Sequence, residues 1–374
     1  MPSMKKPGHA MKLHRETENF ALLSRDLATR SAEWYSRPTE IEFAFNNFCN
    51  LRCVMCGKSD DAQRETLDRE VGIRAIEELL PNALHLTPSS YSEPFLNDLD
   101  LVTDLCARHD VSLFIFTNGL LCTEERFRKI QPAVDQLWFS FDSHIRETYE
   151  RIRAGSRFDT VVENMRRTVA LAEEDGTEIC FQPVLMRWNV RELPDYVRFI
   201  ASLGGRRINV AELIPYSSAY DEIKIEGAVP DSEVLRIIET ACAAALENGI
   251  DLTLKLRPPF GGEALGRKVP KQLKKPIAAL REVGMSSMAR IYPFFCTMAA
   301  HYVKISPNGD LFPCCRSPQS LRMGNLHERS FEGIWNGEAY RSFRKEMMEG
   351  RYDPACRACP IFTAPGAVPG DPAV

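Results

Sequence analysis

Residues 45–56 read FNNFCNLRCVMC and place three cysteines within eight residues: Cys49, Cys53 and Cys56. The stretch begins in a strand-like run at residues 41–46, so the cysteines occupy a loop directly after a strand. Three thiolates can ligate one face of a four-iron cubane cluster and leave the fourth iron open. A reactive metal centre requires an open position, so the spacing predicts a catalytic iron–sulfur cluster.

A structural zinc site is the alternative for these cysteines. Zinc in such sites is usually held by four Cys or His ligands. The next histidine along the chain is His85, which falls in a different predicted strand. Four further cysteines stand singly among apolar neighbours, where inert buried thiols are expected: Cys106, Cys122, Cys180 and Cys242.

Strand-like and helix-like segments alternate on either side of this loop. Predicted strands cover residues 41–46, 83–87, 112–117, 136–141, 178–185 and 207–213. Predicted helices cover residues 68–80, 98–109, 124–131, 158–175 and 191–202. Strands separated by helices favour parallel βαβ units. The fold class is therefore α/β, and six such strands predict a partial (β/α)6 barrel of the TIM type.

The rest of the chain divides by composition. A further helix at residues 230–248 and a strand at 251–255 close the barrel part, and an Asn-Gly turn at residues 307–310 predicts a hairpin. The predicted organisation is a leader at 1–38, a barrel at 39–257, a linker or insertion at 258–290, a small C-terminal domain at 291–361 and a disordered tail at 362–374.

Composition excludes several classes of protein. The chain has 374 residues, a formal net charge of −4 and 44% hydrophobic residues, which is typical of a globular protein without an electrostatic preference for nucleic acid or membranes. Its start lacks the apolar core of a secretory signal, and no stretch is long enough to span a bilayer. A cytoplasmic location is expected, and in a reducing compartment twelve cysteines favour metal binding over disulfides.

A second group of cysteines lies near the C-terminus: Cys296, Cys314, Cys315, Cys356 and Cys359. Four thiolates can fully ligate a second cluster. Structural zinc stays open here as well, because a four-cysteine site closed by a C-x-x-C pair also fits that ion.

The spacing C-x-x-x-C-x-x-C after the first strand of a βα barrel resembles the signature of the radical S-adenosylmethionine (SAM) superfamily. The resemblance implies a [4Fe–4S] cluster on Cys49, Cys53 and Cys56, whose open iron binds the amino and carboxylate groups of SAM. Reductive cleavage then yields a 5′-deoxyadenosyl radical that takes a hydrogen atom from the substrate. An external one-electron reductant such as flavodoxin or ferredoxin is implied as a partner.

Further motifs follow successive predicted strands, at the edge where barrel enzymes place their chemistry. Ser92-Glu93-Pro94 resembles the family's Gly-Gly-Glu-Pro motif, in which the glutamate holds the SAM amino group. Glu93 is a suitable acceptor for an ammonium group. The pair Tyr91-Ser92 departs from the two glycines of that motif.

Five other residues receive SAM-binding roles from the same resemblance. Asn118 lies in a Thr-Asn-Gly motif, and Ser140 and Asp142 form a Ser-x-Asp motif. Arg153 is expected to pair with the SAM carboxylate, and Met55 is expected near adenine. Taken singly, such residues are more often a turn, a helix cap or a solvated surface side chain.

The C-terminal part resembles the SPASM/twitch extension of radical SAM enzymes, through the pattern NGD…PC…GNL…IWN…CxxC. The full SPASM form has seven cysteines and two auxiliary clusters, whereas this region has five cysteines. Four ligands for one auxiliary [4Fe–4S] cluster fit the shorter twitch form, similar to that of 2-deoxy-scyllo-inosamine dehydrogenase. The implied ligands are Cys296, Cys314, Cys356 and Cys359, with Cys315 as an alternative to Cys314.

An auxiliary cluster can accept the electron of a substrate radical, so oxidation of a hydroxyl-bearing carbon in a sugar, cyclitol or glycoside is the favoured reaction. Epimerisation is the first alternative, with Cys315 as a catalytic hydrogen donor. Peptide modification is the second, and it is disfavoured because 38 residues are too few for a winged leader-peptide-binding domain. A non-enzymatic iron–sulfur electron-transfer or redox-sensing protein is a third alternative, which an intact SAM pocket disfavours.

Overall fold

A computed structural model describes residues 9–58, 63–215, 217–256, 260, 296–357 and 359. The predicted tail at 362–374 and, apart from Phe260, the predicted linker beyond residue 257 lie outside the described residues. No helix in the described part of the chain is long and apolar enough to cross a membrane.

Thirteen strands are present in the described residues, and most belong to one sheet. They are β1 Glu40–Phe43, β2 Arg52–Cys53, β3 His85–Thr87, β4 Ser112–Thr117, β5 Val134–Phe139, β6 Arg153–Ala154, β7 Glu178–Phe181, β8 Val184–Leu185, β9 Arg207–Glu212, β10 Asp251–Lys255, β11 Tyr302–Ile305, β12 Asp310–Phe312 and β13 Gly324–Asn325. The sheet order is β10-β9-β7-β5-β4-β3-β1-β11-β12-β13, with β8 beside β9 and with β2 paired separately to β6.

Within the main sheet, every pairing along the path from β1 to β10 is parallel, which confirms the α/β fold class. The six predicted barrel strands are present, and β10 adds a seventh parallel strand at the edge. The predicted strand at 178–185 is divided into β7 and β8. Pro183 lies in the gap, and a proline has no N–H to donate to a neighbouring strand.

The six helices that the sequence predicts begin and end within two residues of their predicted positions, and they are among thirteen α-helices in the described residues. The thirteen are α1 His9–Ala28, α2 Arg69–Leu79, α3 Leu99–Arg108, α4 Glu124–Ile130, α5 Arg146–Ile152, α6 Phe158–Asp175, α7 Leu193–Ser202, α8 Tyr220–Ile223, α9 Asp231–Glu247, α10 Thr297–His301, α11 Phe331–Trp335, α12 Glu338–Met348 and α13 Pro354–Arg357. Asp68 caps α2 by accepting hydrogen bonds from the N–H groups of Glu70 and Val71. Gly176 ends α6 in the left-handed conformation.

The C-terminal hairpin continues the barrel sheet. β11 and β12 are antiparallel, which confirms the predicted hairpin. β11 also pairs in parallel with β1, so that Glu40 lies beside Tyr302 and Phe43 lies beside Ile305. The strand that leads into the first cysteine loop therefore shares backbone hydrogen bonds with a strand that lies between Cys296 and Cys314 of the second cysteine group.

The N-terminal segment is folded against the barrel. Leu23, Leu27 and Trp34 are buried and belong to the same hydrophobic core as the sheet. The Arg15 guanidinium donates to the carbonyl oxygens of Ala83 and His109 at 2.9 and 2.6 Å. Helix α1 thus covers the end of the barrel where β3 and β4 begin, opposite the cysteine loop.

Candidate functional site

The first cysteine loop is fastened to the barrel by a short ladder. Strand β2 pairs with β6, which places Cys53 opposite Arg153. The N–H of Val54 donates to the carbonyl of Ile152 at 3.0 Å. Cys53 is half-buried, whereas Cys49 and Cys56 are exposed. The structure therefore holds the middle cysteine rigidly and leaves the outer two accessible at the carboxyl end of the strands.

Burial raises the pKa of Cys53 to about 11, although the nearby charge of Arg153 opposes the rise. Burial also raises the pKa of Cys49. A metal reverses this preference, because a coordinated thiol is deprotonated. In the absence of a metal, the loop therefore favours neutral thiols at these two positions.

Arg153 and Asp142 form a buried ion pair beside Cys53. Nε of Arg153 donates to Oδ2 of Asp142 at 2.5 Å, and Nη1 lies 3.6 Å from Sγ of Cys53. The other carboxylate oxygen of Asp142 accepts from the N–H of Val184 at 2.8 Å. Asp142 is therefore not a helix cap, and Arg153 is not a surface residue. The expected contact between Arg153 and the SAM carboxylate therefore requires N–H groups of the guanidinium that do not already face Asp142 or Cys53.

Glu93 lies deep at the same edge of the sheet, with an exposed fraction of 2%. Its carboxylate accepts from Oγ1 of Thr117 at 2.6 Å and from the N–H of Asn118 at 2.9 Å. Its own N–H donates to the carbonyl of Phe48 at 2.8 Å, which ties the motif to the cysteine loop. Burial raises the pKa of Glu93, and an ammonium partner would lower it again.

Tyr91 occupies the position of the first glycine in the related motif and has a φ of 51°. A φ in this region is strained for residues with a Cβ and unstrained for glycine. The backbone at Tyr91 is therefore strained.

The other predicted SAM-binding residues divide into two groups. Asn118 is brought to the cysteine loop, where its Nδ2 donates to Oδ1 of Asn50 at 2.9 Å. Met55 packs against the apolar cluster of Ile152, Met186, Leu213 and Ile223. Ser92 and Ser140 make local structural contacts. Oγ of Ser92 accepts from the N–H of Ser90 and from Nδ2 of Asn97, both at 3.3 Å, and the N–H of Ser140 donates to the carbonyl of Thr117 on the neighbouring strand at 2.8 Å.

The second cysteine group converges on one cavity. Its lining includes all five cysteines of this region: Cys296, Cys314, Cys315, Cys356 and Cys359. Sγ of Cys314 lies 3.2 Å from Oγ of Ser317. Burial raises the pKa of Cys315 and of Cys356 to about 12. Because both Cys314 and Cys315 border the cavity, its lining fits either one as the fourth ligand.

Both cysteine groups fit iron–sulfur clusters better than single metal ions. In the described part of the chain, no three Cys, His, Asp or Glu side chains converge closely enough to hold one metal ion. Zinc requires its ligand sulfurs about 2.3 Å from one point, whereas a cubane distributes its ligands over four irons. Three thiols in one loop and five around one cavity match the ligand arrangement of a cubane cluster.

A larger cavity of about 460 Å³ lies inside the barrel and was not anticipated from the sequence. Its lining includes Glu42 on β1, Phe114 and Phe116 on β4, Tyr91 from the SAM-binding motif and Cys315 from the second cysteine group. The cavity therefore borders the second cysteine group at Cys315 and the predicted SAM-binding motif at Tyr91. One feature of the sequence could have indicated this cavity. Parallel barrel strands are usually apolar on both faces, but in β1 Glu40 and Glu42 flank the buried Ile41.

Comparison with known proteins agrees with this geometry. Residues 43–200 match the model of the radical SAM superfamily, and residues 296–360 match SPASM, an iron–sulfur cluster-binding domain. The chain is 25% identical over 330 residues to the tungsten-containing aldehyde ferredoxin oxidoreductase cofactor-modifying protein of Pyrococcus furiosus, covering 84% of this chain and 85% of that protein.

PqqA peptide cyclases of Xanthomonas are also similar. Identity is 40% over 337 residues for the X. axonopodis protein, covering 86% of this chain and 80% of that protein. It is 23% over 335 residues for the X. campestris protein, covering 86% and 79%. Among solved structures, Streptococcus suis SuiB bound to its precursor peptide SuiA superposes with a TM-score of 0.60 at 16% identity, over 87% of this chain and 70% of SuiB. These relatives do not support the expected specific similarity to 2-deoxy-scyllo-inosamine dehydrogenase.

Proposed function

The chain belongs to the radical SAM superfamily and carries a SPASM iron–sulfur domain, and from this premise we propose that it modifies a peptide substrate. When bound, the cluster and SAM supply a 5′-deoxyadenosyl radical that removes a hydrogen atom from the substrate. The protein supplies the site in which one residue of the peptide meets that radical.

The observation that carries the proposal is the 460 Å³ cavity inside the barrel. This volume lies within the range of ordinary small-ligand sites and suits one amino-acid side chain with its adjoining backbone. Tyr91, next to the predicted SAM-binding Glu93, and Cys315, among the predicted auxiliary ligands, both border the cavity. A residue held there would lie between the source of the radical and an electron acceptor.

The relatives favour a peptide over a sugar. The Xanthomonas relatives are peptide cyclases, and SuiB is a structural neighbour that binds a precursor peptide. The preference for a sugar, cyclitol or glycoside that the sequence suggested finds no support among these proteins.

Two groups of residues would bind SAM and position the first cluster. Glu93 keeps acceptor positions beyond those used by Thr117 and Asn118, and these suit the SAM ammonium group. Arg153, which Asp142 holds in place, would orient the Cys53 thiolate and favour its negative charge.

Epimerisation of a peptide residue is the second candidate function. It is favoured by the position of Cys315, which borders both the barrel cavity and the auxiliary-cluster cavity. Burial raises the pKa of this thiol, so it keeps its S–H hydrogen for donation when Cys314 is the cluster ligand.

The proposal is tested by asking which compounds stimulate 5′-deoxyadenosine release. Reconstituted protein is incubated with SAM and reduced flavodoxin, together with either a pool of synthetic peptides or a panel of monosaccharides, cyclitols and glycosides. Release stimulated by peptides, with a mass change in at least one of them, is the expected result. Stimulation by the carbohydrate panel alone would refute a peptide substrate. A Cys49→Ala variant is the control for release that does not depend on the cluster.

A further inference from the structure

The barrel cavity has an aromatic wall. Phe114 stacks on His85 with ring centroids 4.2 Å apart, and Phe116 lies beside Trp138 at 5.4 Å. Phe116 remains 37% exposed and Tyr91 remains 50% exposed, although most large apolar side chains of the described residues are buried. Apolar surface left in contact with water costs roughly 25 cal/mol per Å², so this wall favours an occupant that presents a planar or apolar face.

The cavity also contains a carboxyl group, that of Glu42 on the inner face of β1. The phenol of Tyr302 donates a hydrogen bond to Oε2 of Glu42, and Ser90 contributes another hydrogen bond. Nζ of Lys304 lies 4.0 Å from Oε1, which is beyond hydrogen-bond distance. A carboxylate offers about four acceptor positions, so Glu42 can accept at least one further donor from the cavity.

Burial raises the pKa of Glu42, since the attraction of Lys304 and the hydrogen bonds only partly offset the loss of hydration. A buried carboxyl facing an apolar cavity is unfavourable unless it gains partners. A purely structural role would be to join β1 to β11 through Tyr302 and Lys304. That role would not require Glu42 to border an open cavity.

We propose that this cavity binds the peptide residue that is modified, and that it selects a planar side chain carrying an N–H or O–H donor. The planar group packs on Phe114 and Phe116, and the donor hydrogen-bonds to Glu42, which Tyr302 holds in position. This inference rests on the proposed peptide substrate and specifies which residue of the peptide enters the barrel.

Three small molecules separate the two parts of the site. N-acetyltyrosinamide has both ring and donor, N-acetylphenylalaninamide has the ring alone, and N-acetylserinamide has the donor alone. Binding of each is measured by equilibrium dialysis against reconstituted protein with SAM and without reductant, so that no turnover occurs. The tyrosine derivative should bind most tightly, because only it contacts both the wall and Glu42.

Glu42→Gln should weaken binding of the tyrosine derivative roughly tenfold, the loss expected for one charge-assisted hydrogen bond, and change binding of the phenylalanine derivative little. Phe116→Leu should weaken both aromatic derivatives and spare the serine derivative. Glu77→Gln, on the exposed surface of α2, is the matched control and should change nothing. Iron content and circular dichroism report whether each variant is folded.

Equal weakening of all three molecules by Glu42→Gln would assign this residue to the structure of the barrel and overturn the proposal. So would equal binding of the three molecules by the unaltered protein. These outcomes are independent of the proposed function, which fails instead if no peptide is modified in the presence of SAM and reductant, whatever the three molecules show.

Discussion

Nη1 of Arg153 lies 3.6 Å from Sγ of Cys53, across a two-residue antiparallel ladder. The same guanidinium is held at 2.5 Å by the buried carboxylate of Asp142. The middle cysteine of the first group therefore has a fixed positive charge beside it, although the two residues are separated by 100 positions in the sequence. Since a thiolate is the ligand form of cysteine, the Arg153 charge favours that form and offsets part of the rise that burial causes in the pKa of Cys53.

Removing the charge of Arg153 should destabilise the protein strongly. Arg153→Ala leaves Asp142 buried without its partner, and breaking a buried ion pair from one side typically costs 3–5 kcal/mol. The pair of Arg146 and Asp159 has the same 2.5 Å separation but is exposed, so Arg146→Ala should destabilise the protein far less. Urea unfolding of both variants checks the contrast, and similar losses would contradict the structural role given to burial.

Glu93→Ala should weaken SAM binding while both clusters are retained. The carboxylate is expected to accept from the SAM ammonium group, and loss of such a charge-assisted hydrogen bond costs roughly 1.5–3 kcal/mol. Equilibrium dialysis with labelled SAM measures the change, and iron content confirms that the clusters survive. Glu125→Ala, on the surface of α4, is the control. Unchanged SAM affinity in Glu93→Ala would remove this residue from the pocket.

The two cysteine groups predict the iron content. Reconstituted protein should hold about eight irons per chain, because three cysteines suit one cubane and the C-terminal five suit one more. Changing Cys49, Cys53 and Cys56 together to Ala should leave about half of the iron. Metal analysis of both proteins gives the answer. Zinc in place of the remaining iron would contradict the auxiliary-cluster assignment.

The raised pKa of Glu42 predicts how stability depends on pH. In the folded protein this carboxyl keeps its proton above pH 4.5, where the unfolded chain has lost it, so its contribution to stability falls as pH rises through the folded pKa. Each unit by which the pKa is raised corresponds to about 1.4 kcal/mol. The free energy of unfolding of Glu42→Gln, relative to that of the unaltered protein, should therefore be higher at pH 8 than at pH 5. A constant difference would mean that the carboxyl is not desolvated.

Cys315→Ala distinguishes epimerisation from oxidation of the substrate. If Cys315 donates a hydrogen atom, the variant should still release 5′-deoxyadenosine but fail to complete the product. In deuterated water the unaltered protein should then place one deuterium in a product of otherwise unchanged mass. A product two mass units lighter, formed equally well by the variant, would exclude Cys315 as the donor and favour oxidation. Mass spectrometry of the peptide provides both measurements.

Local signals in the sequence were sufficient for most elements of the barrel and for the cysteine groups. Helix α6 at Phe158–Asp175 and strand β10 at Asp251–Lys255 begin and end where the pattern predicts. Periodicity, caps and turn residues act over a few neighbouring positions, so they can be read along the chain. The spacing of Cys49, Cys53 and Cys56 is equally local, and it indicated the superfamily without any knowledge of the fold.

Contacts between distant segments could be obtained only from the tertiary structure. No local pattern indicates that β11 pairs with β1, that Arg153 turns to Asp142, or that the Tyr302 phenol donates to Glu42. Each of these contacts depends on which surfaces become buried together, because a hydrogen bond or ion pair gains strength when water is excluded. The sequence by itself therefore predicted the chemistry of the two cysteine groups, whereas the cavity that Tyr91 and Cys315 border, and with it the candidate substrate site, follows from how the sheet closes.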